Sequence, residues 1–214
     1  ADTLVGGLGA DTLIGGGGTD TADYGASLLA VTVDVAAGTG TGGDAEGDRL
    51  VGILNVVGSG LADNLSGDAN ANLINGGGSA DTLSGGGSAD TLLGAAGDDV
   101  LVGGSGADSL DGGIGQNTLD YSASGGTVTI NLLAGTAAGG DATGDTYANI
   151  QNVTGSANAD LLTGDTNDNL LNGGTGDDTL IGGVGSDTLQ GGGGIDTVSY
   201  AASNFAVTIN IATG

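Results

Sequence analysis

The sequence predicts an all-β fold in which short strands and turns wind into a stack of coils. A nine-residue unit recurs along the chain, with Gly at positions 1, 2 and 4, Asp at position 6 and an aliphatic residue at position 8. Gly accounts for 50 of the 214 residues, and Pro is absent. A short fixed period is the signature of solenoids, in which each unit packs on its neighbours.

The composition argues against collagen and against disorder, two classes of protein that can also be rich in glycine. Collagen needs Gly at every third position together with Pro, and this chain has neither feature. Disorder fits the net charge of −25, but the 38% hydrophobic content and the regular aliphatic positions argue against it.

The charge is strongly one-sided, with 26 acidic residues and a single basic residue, Arg49. Such a surface repels nucleic acid phosphates and anionic membranes, and it resists compaction unless cations bind. No apolar segment is long enough to span a bilayer. We therefore expect no nucleic acid partner and no direct membrane insertion.

The nonapeptide units form three blocks, which we place at residues 1–23, 58–120 and 155–199. Two inserts of 34 residues, at 24–57 and 121–154, separate the blocks and align with each other without gaps. A third copy of the insert begins at 200–214. Because the chain opens and closes within repeats, we expect it to be a piece of a longer protein. A tyrosine follows each block, and we interpret it as a packing or edge-sealing group: Tyr24, Tyr121 and Tyr200.

Each insert opens with an alternating apolar segment that predicts a strand: Val31–Val35, Val128–Leu132 and Val207–Ile211. The nine-residue aliphatic spacing continues into and out of the inserts, so we expect them to extend the same coil. Their middle portion leaves this spacing, which predicts a longer strand and an extended turn there. Both full copies then contain a glycine–aspartate turn, at residues 42–48 and 139–145.

The nonapeptide pattern points to calcium. Glycines allow a tight turn that exposes backbone carbonyl oxygens, and Ca²⁺ takes six to eight carbonyl and carboxylate oxygens. Two units make one coil, so residues 18 apart in sequence stack about 4.8 Å apart. Stacked aspartates repel one another, and divalent ions between successive turns convert that repulsion into attraction.

Counting Asp or Asn residues 18 apart predicts nine ion positions. About nine Ca²⁺ ions leave a net charge of about −7, which suits a soluble domain. Asp11 has Leu29 at that spacing and needs a partner from the insert, and Asp145, in the turn of the second insert, is a further candidate ligand. The predicted pairs are Asp2 with Asp20, Asp63 with Asp81, Asn72 with Asp90, Asp81 with Asp99, Asp90 with Asp108, Asp99 with Asn117, Asp160 with Asp178, Asn169 with Asp187, and Asp178 with Asp196.

Units such as Gly173–Ile181 and Gly103–Asp111 resemble the RTX repeats, the hemolysin-type calcium-binding repeats of secreted bacterial proteins. The resemblance implies a right-handed parallel β-roll, a β-helix-like solenoid with Ca²⁺ between its glycine–aspartate turns. It also implies type I secretion, folding driven by extracellular calcium, and a secreted or cell-surface location.

Catalysis is not expected, because the chain has no His, Cys or Lys for acid–base or nucleophilic chemistry. Our first hypothesis is a calcium-binding structural segment of a large secreted or cell-surface protein, such as an adhesin, surface layer or filament. The alternative is a C-terminal calcium-dependent folding and secretion module of an enzyme or toxin.

The repeats raise the questions of self-association and of a sugar- or ice-binding face. End-to-end self-association is an open alternative, because uncapped solenoid ends expose strand edges. A sugar- or ice-binding face would need a regular exposed ladder, and the threonines at position 7, such as Thr82 and Thr91, are interrupted by other residues. Strand propensity accounts for these threonines better.

Overall fold

The computed structural model describes residues 1–203 and residue 206. The predicted strand Val207–Ile211 lies outside them. In the inner nonapeptides, positions 7 to 9 form a strand whose central aliphatic side chain is buried and whose flanking residues face outward. This alternation is what a strand with one buried face requires.

The described part of the chain contains strands and two short 3-10 helices, Gly43–Ala45 and Gly140–Ala142. In chain order the strands are β1 Thr3–Leu4, β2 Thr12–Ile14, β3 Thr21–Asp23, β4 Thr32–Asp34, β5 Thr39–Thr41, β6 Arg49–Val51, β7 Asn55–Val57, β8 Asn64–Ser66, β9 Leu73–Gly78, β10 Thr82–Gly87, β11 Thr91–Ala96, β12 Val100–Ser105, β13 Ser109–Asp111, β14 Thr118–Asp120, β15 Thr129–Asn131, β16 Thr136–Ala138, β17 Thr146–Ala148, β18 Asn152–Thr154, β19 Leu161–Thr163, β20 Leu170–Thr175, β21 Thr179–Ile181, β22 Thr188–Gly193 and β23 Thr197–Val198.

Within the blocks, successive strands alternate between sheets, and each strand pairs in parallel with the strand two further along the chain. Leu83 of β10, for example, lies between Leu65 of β8 and Leu101 of β12. The sheets have the orders β1-β3-β7-β9-β11-β13-β17, β2-β6-β5-β4-β8-β10-β12-β14-β18-β20-β22 and β16-β15-β19-β21-β23. The fold is therefore an all-β solenoid of parallel strands, a β-roll, as the sequence predicts.

The core consists of two columns of aliphatic side chains, one from each side of the coil. A fully buried leucine contributes about 2 kcal/mol by its removal from water, so the columns hold successive coils together. In the second block the members are at most 1% exposed: Leu65, Leu83, Leu101 and Leu119 in one column, and Ile74, Leu92 and Leu110 in the other.

Each insert adds a hairpin to the solenoid where the sequence predicts one longer strand. In the first insert, β4 pairs antiparallel with β5, β6 returns beside β2, and β4 pairs with β8. The strand is interrupted because Asp34 Oδ1 accepts the Ala37 N–H and Gly38 adopts a φ of 67°. Together these two features close a tight turn.

The hairpins of the two inserts lie on opposite faces of the solenoid. Strands β4 to β6 of the first are in the eleven-stranded sheet, whereas in the second β17 continues the seven-stranded sheet and β15 and β16 belong to the five-stranded one. Seven nonapeptides, an odd number, separate the inserts, and each nonapeptide crosses from one face to the other. Among the described residues, no helix is long and apolar enough to cross a membrane.

Candidate metal centre

The position-6 residue of each nonapeptide lies immediately before a strand and points along the axis of the stack. Asp81, Asp90, Asp99 and Asp108 are at most 2% exposed. The backbone N–H of Asp81 donates to Asp99 Oδ1 at 2.8 Å, and that of Asp90 donates to Asp108 Oδ1 at 2.8 Å. Each carboxylate therefore joins its own coil to the coil before it.

All nine predicted pairs are brought together by this type of hydrogen bond, from the earlier backbone N–H to the later Oδ1. The pairs differ in exposure. Asp2, Asp187 and Asp196 lie in the outermost coils and are partly or fully exposed. The other members of these pairs, eight aspartates and three asparagines, are at most 4% exposed, and together with Asp11 they form a ladder along the stack.

The second carboxylate oxygen is unpaired at seven positions of this ladder. In Asp11, Asp20, Asp81, Asp90, Asp99, Asp108 and Asp178, Oδ2 is buried without a hydrogen-bond partner. An unsatisfied buried oxygen on a charged group costs several kcal/mol, so such a group needs a donor, a proton or a cation. Within the described structure, no donor reaches these seven oxygens.

Position 1 of each unit shows why glycine is needed beside these oxygens. A Cβ on Gly85 would clash with Asp90 Oδ2 and lie 2.6 Å from the Gly103 carbonyl oxygen. The same crowding by an unpaired carboxylate oxygen and a carbonyl oxygen from the next coil occurs at Gly173. Glycine thus lets two oxygens approach each other, and such oxygens are the ligands that Ca²⁺ takes. The residues present fit calcium.

A comparison with known families agrees with this geometry. Four copies of the RTX calcium-binding nonapeptide repeat match the chain, at residues 1–26, 57–92, 84–119 and 163–198. Together these copies cover more than half of the chain. The chain belongs to the RTX repeat family. Repeats of this family are structural and bind calcium, and they are typical of secreted bacterial proteins. No curated protein matches the chain.

The electrostatics of the RTX ladder favour a cation. Burial raises the pKa of Asp81 to about 7, although the hydrogen bond with Asp63 acts in the opposite direction. Burial likewise raises the pKa of Asp90 to about 6, and it raises the pKa of Asp99, Asp108 and Asp178. Near neutral pH these carboxylates are therefore stable only with a proton or a cation beside them.

Acidic side chains alone do not surround an ion in this ladder. No three Asp or Glu side chains within the described ranges converge on one point. A turn supplies at most one buried carboxylate, and neighbouring carboxylates are separated by the spacing between coils. The nonapeptide pattern predicts that backbone carbonyl oxygens of the glycine-rich turns supply further ligands.

Asp48 is the ladder residue that the candidate ligands from sequence omit. Its Oδ1 accepts the Asp11 N–H at 2.8 Å, so it is the partner from the insert that Asp11 needs. Asp145 has the same role towards Asp108, at 2.9 Å. The gapless alignment of the inserts contains the signal, because it places Asp48 opposite Asp145.

A second set of aspartates, at position 5, also bridges coils. Oδ1 of Asp98, Asp168 and Asp177 accepts the N–H of the residue 18 positions later, at 2.7 to 2.8 Å. These side chains face the surface, and their bonds hold the outer part of the turns in register. The paired aspartates in Asp98–Asp99 and Asp177–Asp178 are the sequence signal for this arrangement.

Proposed function

We propose that this chain is a calcium-dependent structural spacer in a large secreted or cell-surface bacterial protein of the adhesin, surface-layer or filament type. The observation that carries the proposal is the run of buried, unpaired carboxylate oxygens along the axis of the stack. Bound calcium supplies the positive charge that this run requires. The aspartates, glycine turns and aliphatic columns then form one continuous rod.

The inserts favour a spacer over a single terminal module. Two copies of a 34-residue segment align without gaps, and their hairpins lie on opposite faces of the solenoid. Regular recurrence of this kind suits a long array, in which each copy adds the same increment of length. In a folding and secretion module of an enzyme or toxin, the repeats need only one calcium-loaded stack. The complete gene distinguishes the two: further repeats of this type support the spacer, and an adjoining catalytic domain supports the module.

Calcium outside the cell drives folding in this proposal. Without calcium the net charge of −25 expands the chain, and with calcium the binding free energy becomes folding free energy. Far-ultraviolet circular dichroism of the chain in millimolar calcium and in chelator tests this. We expect β-structure in calcium and its loss in chelator, and identical spectra would refute the proposal.

A further inference from the structure

The inserts contain buried aspartates with no unpaired oxygen. Asp145 is 6% exposed, and its Oδ2 accepts the O–H of Tyr121 at 2.9 Å. In the first insert, Asp48 is 3% exposed and its Oδ2 accepts the O–H of Tyr24 at 3.0 Å. Oδ1 of each also accepts a backbone N–H of the preceding coil. A tyrosine hydroxyl therefore lies where the corresponding oxygens of the blocks have no partner.

A second hydroxyl group acts where each insert ends and the next block begins. Oδ1 of Asp63 accepts the Ser59 O–H at 2.9 Å, and its Oδ2 accepts the Ser59 N–H at 2.5 Å. Asp160 makes the same two bonds with Ser156, at the same distances. Both oxygens of each carboxylate are thus satisfied by a serine within the same turn.

In the second and third blocks, asparagine replaces aspartate in the following unit. The Asn72 side-chain amide donates to the Leu54 carbonyl oxygen at 2.7 Å, and that of Asn169 donates to the Gln151 carbonyl oxygen at 2.8 Å. The acceptor lies 18 residues earlier in both cases. An amide N–H thus bridges two coils directly, without a cation.

The last nonapeptide before each insert offers a matched comparison. Asp20 and Asn117 are 97 residues apart and equivalent in the alignment. Asp20 Oδ2 is unpaired. A Cβ on Gly15 would clash with both this oxygen and the Gly52 carbonyl oxygen. Asn117 instead donates its amide to the equivalent carbonyl oxygen, that of Asn149, at 3.0 Å. The same backbone carbonyl oxygen therefore faces a carboxylate oxygen in the first copy and an amide N–H in the second.

We infer that the ladder contains two kinds of rung: open rungs, which take calcium, and closed rungs, which the chain's own hydroxyl and amide donors satisfy and which take none. The inference rests on the proposed function, because it assigns calcium to the open rungs. The closed rungs are Asp48, Asp63, Asn72, Asn117, Asp145, Asp160 and Asn169. The open rungs are the seven with an unpaired Oδ2.

Packing holds the hydroxyl donors in place at the inserts. Tyr24 is 2% exposed and Tyr121 is 3% exposed, so the hydroxyl that satisfies Asp48 or Asp145 is carried by a buried aromatic ring. The closed rungs lie in the inserts and in the nonapeptides beside them, so they separate the runs of open rungs. Calcium binding is coupled along the run from Asp81 to Asp108 and is interrupted at each insert, where the closed rungs add no ions.

The test is the number of calcium ions bound by the full chain at saturation, measured by equilibrium dialysis with metal analysis. Asp90→Asn removes an open-rung carboxylate, and Asp145→Asn is its matched change in a closed rung. We expect Asp90→Asn to lose at least one ion and Asp145→Asn to keep the wild-type number. Loss of an ion from both variants would overturn the inference.

Asn117→Asp provides a gain of function that misfolding cannot imitate. It creates in the second copy the unpaired carboxylate that Asp20 has in the first, so we expect one more ion than in the wild type. An unchanged number in a folded Asn117→Asp variant would also overturn the inference. Wild-type protein that binds no calcium would instead refute the proposed function, and that result is distinct from a failure confined to the closed rungs.

Discussion

The second block and the second insert each bury an aspartate on the axis of the solenoid, but the two aspartates form different hydrogen bonds. Asp90, in the block, has one oxygen bonded to the preceding coil and one oxygen without a partner. Asp145, in the insert, has both oxygens bonded, the second to Tyr121. The block thus obtains its missing interaction from solution, whereas the insert obtains it from its own sequence. Stability that depends on calcium and stability that does not therefore alternate along one rod.

The largest expected effect is that of pH on the calcium-free chain. In the unfolded chain an Asp has a pKa of about 3.9, whereas in the fold burial raises the pKa of Asp81 to about 7 and that of Asp90 to about 6. Between these values the folded state binds more protons than the unfolded state, so stability falls as pH rises. The stabilising effect of protonation is complete below about pH 4 and is lost as pH rises through about 6 to 7.

Circular dichroism of metal-free protein from about pH 8 to about pH 4 measures this effect. We expect β-structure to increase as the pH falls, because protons take the place of calcium at the open rungs. The control is the same titration in saturating calcium, where the spectrum should change little between about pH 8 and about pH 6. A metal-free chain that is equally unfolded across the whole range would show that the unpaired carboxylates do not limit folding.

The next effect concerns the aliphatic column of the block. Leu101→Ala removes a side chain that is 1% exposed, and we expect a loss of about 3 kcal/mol from the lost burial and the resulting cavity. Leu133→Ala, at a position in the insert that is 66% exposed, should change the free energy of unfolding by less than about 0.5 kcal/mol. Denaturant unfolding in saturating calcium compares the two. Equal losses would mean that the column does not hold the coils together.

A third effect lies in the glycine beside each open rung. Gly85→Ala places a methyl group against Asp90 Oδ2 and the Gly103 carbonyl oxygen, which should destabilise the fold by about 1–3 kcal/mol and weaken calcium binding. At Gly60 an added Cβ meets nothing within 4 Å, so Gly60→Ala serves as the control. Calcium titration of both variants should show a higher midpoint for Gly85→Ala alone. Equal midpoints would argue against a calcium site formed by these two oxygens.

The nonapeptide spacing was sufficient to predict the β-solenoid, and the 18-residue pairing of coils that it implied is present in the ladder. Both follow from a period that is local and strict, since each unit meets the unit two further along. The partner of Asp11 could not be found in this way. Asp48 lies 37 residues away, and it reaches Asp11 only because the hairpin β4–β5 returns β6 to the side of β2. The hydroxyl of Tyr121 escaped prediction for the same reason, because its bond to Asp145 spans 24 residues of insert.

The smallest effect is the most direct test of the difference between block and insert. Tyr121→Phe removes one hydroxyl and leaves Asp145 Oδ2 buried without a donor, so we expect a loss of about 2 kcal/mol at a calcium concentration that only just folds the chain. Tyr147→Phe is the matched control in the same insert, because the Tyr147 O–H donates to a neutral acceptor, the Asn131 carbonyl oxygen, at 2.6 Å. Its loss should be about 1 kcal/mol.

Calcium dependence separates these two variants more sharply than the size of the loss. Tyr121→Phe converts a closed rung into one that resembles Asp90, so the thermal midpoint of this variant should rise more steeply with calcium concentration than that of the wild type. Tyr147→Phe leaves the ladder unchanged, and its midpoint should rise in parallel with the wild type. If both variants followed the wild-type slope, the hydroxyl of Tyr121 would be an ordinary packing contact, and block and insert would not differ in how they satisfy a buried charge.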